Sequence, residues 1–135
     1  MLYTYTLSEQ TVAPNGAITL DQNGIDSCCA ITHVAGSTTI NLRQGTYLIS
    51  VDCDATSDTT GPLSFQLYNH DMAVPAALAT NTIATAGNIA NFSFDTALKV
   101  LCSCPAINNN AQLTIKNTGA NPATVSNAVV TVHRL

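Results

Sequence analysis

Gly45-Thr46-Tyr47-Leu48-Ile49-Ser50-Val51-Asp52-Cys53-Asp54 is the stretch on which the fold turns. Tyr47, Ile49, Val51 and Cys53 alternate with Leu48, Ser50, Asp52 and Asp54. A period of two places successive side chains on opposite faces of an extended strand, with one face set for a core and the other for solvent or a neighbour. Just upstream, Thr38, Ile40 and Leu42 alternate with Thr39 and Asn41, and Arg43-Gln44-Gly45 supplies a short turn between the two runs.

The same pattern continues outward from this pair. Leu63, Phe65 and Leu67 alternate with Ser64, Gln66 and Tyr68 before an Asn69-His70-Asp71 turn. Ala73 to Thr80 is Ala-rich and helix-like in composition, but Pro75 and the surrounding Val and Thr favour an extended edge strand. Ala90, Phe92 and Phe94 share a face, and Leu98 and Val100 follow. Leu113 and Ile115 mark a strand after the polar turn Asn108-Asn109-Asn110, and Ala128, Val130 and Val132 belong to the last strand. Asn15-Gly16 and Asn23-Gly24 read as hairpin turns, and Asn117 to Pro122 as a loop. About eight to ten short strands at intervals of roughly ten residues predict an all-β chain, an antiparallel sandwich or jelly roll. At 135 residues the chain is expected to form a single domain, 1–135.

Composition narrows the function. Hydrophobic residues make up 46% of the chain and charged residues 9%, against roughly a quarter charged in an average domain. Thr, Ser, Asn and Ala must cover the surface, which suits sheet faces that pack on other subunits. The net charge is −4, and Arg43, Lys99, Lys116 and Arg134 are scattered. Nucleic acid is therefore not expected as a partner, since phosphate binding needs a basic footprint. No stretch reaches the roughly 18 apolar residues of a membrane span, and the start Met1-Leu2-Tyr3-Thr4-Tyr5-Thr6 lacks the features of a signal peptide.

The five cysteines, Cys28, Cys29, Cys53, Cys102 and Cys104, are an odd number for a disulfide framework. Small buried hydrophobes are the plain reading. A zinc site from Cys28, Cys29, Cys102 and Cys104 is the alternative, although the Cys-Cys and C-x-C spacings differ from a C-x-x-C knuckle. His33, His70 and His133 lie far apart, and the chain has no G-x-S-x-G, H-E-x-x-H, G-x-x-x-x-G-K-[ST] or G-x-G-x-x-G motif. No enzyme activity and no cofactor are expected.

Two segments carry a family resemblance. Gly45-Thr46-Tyr47-Leu48-Ile49-Ser50-Val51 resembles the G-x-Y-x-[IF] strand of C1q/TNF-like jelly rolls, including bacterial and phage members. Leu113 to Gly119, followed by Asn127 to Leu135, is similar to the last two strands of Firmicutes spore-surface collagen-like glycoprotein domains. The resemblance implies a jelly roll with a trimeric habit, and it implies that Tyr47 packs at the core or near the subunit contact. Without a Gly-X-Y stalk the chain looks closer to stand-alone phage and prophage proteins than to the spore-surface ones.

The candidate sites follow. Asp52 and Asp54 should project from one strand face near Asp58, and these carboxylates could hold Ca²⁺. They serve equally well to keep a strand end soluble and unpaired. Tyr47, Phe92 and Phe94 are expected in the core or at a trimer contact, and Tyr3 and Tyr5 on residues 1–10, an edge strand or docking arm. Asn91-Phe92-Ser93 matches a glycosylation sequon, but Phe92 points to a core and the segment is not read as a modification site. These readings predict a virion structural protein, a homotrimeric capsid-decoration or head-fibre module on the virion surface that contacts a capsid protein or receptor. A spore-coat or cell-surface protein and a module for host-surface glycans are the alternatives.

Overall fold

A computed structural model of the chain describes residues 1–26, 29–101 and 110–135. Among the described residues there are eleven strands: β1 (Leu2–Tyr5), β2 (Gln10–Val12), β3 (Gln22–Ile25), β4 (Ile31–His33), β5 (Ile40–Leu42), β6 (Gly45–Thr56), β7 (Gly61–Asn69), β8 (Met72–Ile83), β9 (Ala90–Val100), β10 (Ala111–Asn117) and β11 (Ala123–Arg134). They form two antiparallel sheets. One has the order β3-β1-β11-β6-β9, with β2 also pairing β11, and the other runs β4-β5-β10-β7-β8. The chain passes between the sheets at most of its connections, so consecutive strands rarely neighbour one another. This is the jelly-roll arrangement that the family resemblance implies and the strand periodicity allows.

Alternation in the sequence becomes alternation in burial. On β6 Tyr47, Ile49, Val51 and Cys53 are buried, while Leu48, Ser50 and Asp52 are exposed. On β7 Leu63, Phe65 and Leu67 face inward. The two inner faces close over one core cluster, and Phe65 of β7 meets Phe92 of β9 edge to face across it, with ring centroids 5.0 Å apart. Such a contact adds about 1 kcal/mol to the area the rings bury. β8 is the edge strand that Pro75 predicts, with Ala76 at φ +62° where its register against β7 shifts.

Arg43-Gln44-Gly45 links β5 to β6 by the short turn that the sequence predicts, and because the two strands lie in different sheets it is a crossover. The Tyr47 hydroxyl donates to the Arg43 carbonyl at 2.7 Å and holds it. Asn23-Gly24 is not a turn but lies within β3. A Cβ on Gly24 would come within 2.8 Å of the Tyr3 ring, so the glycine serves close packing under an aromatic side chain. At Asn15-Gly16 the chain does turn, with Gly16 N–H bonded to the Ala13 carbonyl, yet the flanking strands β2 and β3 pair elsewhere. By contrast His70-Asp71 is a true two-residue hairpin between β7 and β8, with both residues at positive φ (50° and 63°) as a type I′ turn demands.

Residues 1–10 also differ from expectation. β1 is bonded to β11 on one side and β3 on the other, and Leu2 is fully buried. Leu2–Tyr5 is therefore an inner strand, neither an edge strand nor a docking arm. Its partner β11 lies at the opposite end of the chain, where no local pattern could announce the pairing.

Candidate functional site

The outward face of the six-stranded sheet gathers the surface residues that the sequence singled out. Strand register builds it in rows. Ile25, Tyr3, Thr131, Ser50 and Asp95 follow one another across five strands, and Tyr5, Val129, Asp52 and Ser93 form a parallel row. A third row joins His133, Leu48 and Ala97. Leu48, on the strand next to the β9 edge, remains 47% exposed, as does Ile25 on β3 at the opposite edge. Two shallow depressions indent this face, one lined by Tyr3, Tyr5, Gly24 and Ile25 and the other by Leu48, Ile49, Ser50, Asp95, Thr96 and Ala97. Tyr3 and Tyr5 lie at the first of these with ring centroids 5.7 Å apart.

The acidic residues are arranged differently from a three-carboxylate cation site. The Asn91 side-chain amide donates to Oδ1 of Asp52 (2.7 Å) and Oδ1 of Asp54 (3.0 Å), bridging the two carboxylates. Asn127, at φ +51° in the β11 bulge, donates to Oδ2 of Asp54. Asp58 lies beyond the end of β6 in a separate recess. Among the described residues no three His, Cys, Asp or Glu side chains converge to hold a metal. The strand ends at Thr56 and the chain turns away, so proximity in sequence does not carry Asp58 to its neighbours.

Tyr47, Phe92 and Phe94 belong to the core of the chain itself, Tyr47 being completely buried. Burial raises the Tyr47 phenol above its ordinary value, an effect that the Arg134 charge opposes in part. The sequence reading missed Leu48, which is half exposed between His133 and Ala97.

The remaining candidates are structural or fall outside the described residues. Cys28, Cys102 and Cys104 of the zinc alternative, and Asn108-Asn109, lie outside them. Cys53 is buried, and burial followed by the Asp52 and Asp54 charges pushes its thiol up to about 12, so it carries no thiolate at neutral pH. His33 is buried and ties three elements together. Its Nε2 is 3.0 Å from the Ser37 carbonyl and its Nδ1 2.6 Å from Asn23 Oδ1 and 3.4 Å from Thr4 Oγ1. His70 sits at the β7–β8 hairpin, where its Nε2 meets the Asn110 carbonyl at 2.8 Å. His133 is exposed beside Leu48.

No family model and no curated protein matches the sequence. Solved structures do match the fold. An Eiger TNF from S. frugiperda superposes with a TM-score of 0.76 at 10% identity, over 99% of this chain and 90% of that one. Murine APRIL gives 0.68 at 9% identity, covering 99% and 98%. The PRD1 vertex protein P5 gives 0.55 at 13% identity, covering 99% and 95%. The chain has a TNF-like jelly roll, and identities this low speak to fold alone.

Proposed function

We propose that the chain is a non-catalytic structural module that acts by self-assembly, three copies packing through the outward face of the six-stranded sheet on the surface of a virion. The observation that carries this reading is the row His133, Leu48 and Ala97, adjoining Ser50 and Thr131. It places an exposed leucine on a sheet face whose neighbouring side chains are mostly uncharged. Such a face loses little hydration when covered, and exposed apolar side chains among polar ones suit a subunit contact.

The trimeric stoichiometry rests on the resemblance to C1q/TNF-like proteins, and the jelly roll is consistent with it. The virion setting is supported by the resemblance to phage and prophage proteins. The PRD1 vertex protein offers a precedent for the same fold on a particle. A capsid-decoration or head-fibre role requires the chain to remain on assembled particles. Mass spectrometry of purified particles from the host that encodes it is expected to find the chain at stoichiometric levels. Its absence from particles, with recovery in spore coats or cell envelopes, would replace the virion setting with a cellular surface.

A further inference from the structure

Beyond assembly, we infer that the recess at the β2 end of the six-stranded sheet is a binding site for a neutral sugar. The recess measures about 280 Å³ and is lined by Thr11, Ser57, Asp58, Thr59, Pro122 and Thr124. That is the small end of the range for ligand sites and suits a monosaccharide. Its walls come from three distant parts of the chain: β2, the β6–β7 loop, and the start of β11 with the loop before it.

The lining is built and chemically biased. Ser57, only 4% exposed, is fixed by donating to the Pro122 carbonyl at 3.0 Å while accepting from the Thr59 N–H at 3.2 Å, which locks the loop against β11. Among the described residues, the Asp58 carboxylate and the hydroxyls of Thr11, Thr59 and Thr124 make no hydrogen bond within the chain, so they are free to meet a ligand. Register sets Thr11, Thr124 and Thr56 side by side in one row. Thr11 and Thr124 of that row line the recess, while Thr56 stands behind it.

The ligand class follows from these groups. Hydroxyls donate and accept, and a carboxylate accepts two hydrogen bonds, which matches adjacent sugar hydroxyls. The Pro122 ring and the threonine methyls offer apolar surface to sugar C–H groups. An anion is disfavoured, because the lining holds a carboxylate and no cation. The recess lies six residues along β6 from Ser50, about 20 Å at the rise of a strand. Sugar binding and assembly through the Leu48 region therefore need not compete.

The test is an amide-shift titration by NMR of the ¹⁵N-labelled 135-residue chain with galactose, mannose and N-acetylglucosamine, each to high millimolar concentration. At least one sugar should produce saturable shifts at Thr11, Ser57–Thr59 and Thr124 while the Tyr3 and Leu48 amides stay in place. Asp58→Asn and Thr124→Val should each weaken that binding tenfold or more with an unchanged melting temperature. The inference is overturned by an absence of saturable shifts with all three sugars or by undiminished binding in both variants. It is equally overturned if calcium chloride alone shifts the same amides, which would make the recess a cation site.

Discussion

The Tyr47 hydroxyl donates a 2.7 Å hydrogen bond to the Arg43 carbonyl, tying the first long strand of one sheet to the crossover that delivers the chain from the other. The ring is buried in the core, so its apolar and polar ends do separate work. Tyr47→Phe keeps the ring and should lower stability by about 1 kcal/mol, the usual net value of one hydrogen bond. Tyr47→Ala should lower it by about 4 kcal/mol through the cavity it leaves. Urea unfolding of the three proteins checks the ordering, and equal losses would show that the hydroxyl, not the ring, carries the effect.

Asn117 is fully buried where β10 ends. Its Nδ2 donates to the carbonyls of Val12 and Asn121, and its Oδ1 accepts from the Gly119 N–H. It thereby fixes both the β10–β11 crossover and the turn that follows β2. Asn117→Ala strands these backbone groups, so a loss of about 3 kcal/mol is expected. A melting temperature within a degree or two of the parent would remove Asn117 from this role.

Cys53 makes stability depend on pH on the alkaline side. Its thiol is raised from 9.0 to about 12 in the folded chain, so the folded state holds the proton more tightly than the unfolded one. The stabilisation is complete below pH 9 and is lost as pH rises toward 12. The urea midpoint should be flat near neutrality and fall above pH 9. In Cys53→Ala the fall should begin only near pH 10, where Tyr47 starts to contribute. An identical pH profile in the variant would contradict the assignment.

Leu48 should matter to assembly and not to folding, since its side chain is half exposed on a strand whose opposite face is in the core. Leu48→Arg is expected to abolish self-association while leaving the melting temperature within about 1 kcal/mol of the parent in stability terms. Sedimentation of the variant alongside thermal unfolding separates the two. An assembly of unchanged mass would move the contact elsewhere on the molecule.

Much of the fold was legible because burial follows the period of the sequence. Tyr47, Ile49, Val51 and Cys53 on β6, and Leu63, Phe65 and Leu67 on β7, point inward as their spacing requires. Sheet membership was not legible, since the short turn at Arg43-Gln44-Gly45 looks the same whether it folds back or crosses over. The pairing of Leu2 with Val132 spans nearly the whole chain, which is why β1 passed for an edge. At Asn23-Gly24 a local turn signal lost to tertiary packing under Tyr3.

The candidate sites were harder to read for the same reason. Asp52, Asp54 and Asp58 are close in sequence, yet the end of β6 separates the third from the others. Thr11 and Thr124 share a recess because β2 and β11 pair, a contact that has no trace in the local pattern.

The most direct test of the account is the solution mass of the purified chain by light scattering. Self-assembly through the Leu48 face predicts a mass near three times the 14.1 kDa of one chain. A monodisperse species of 14.1 kDa across the accessible concentration range would contradict it.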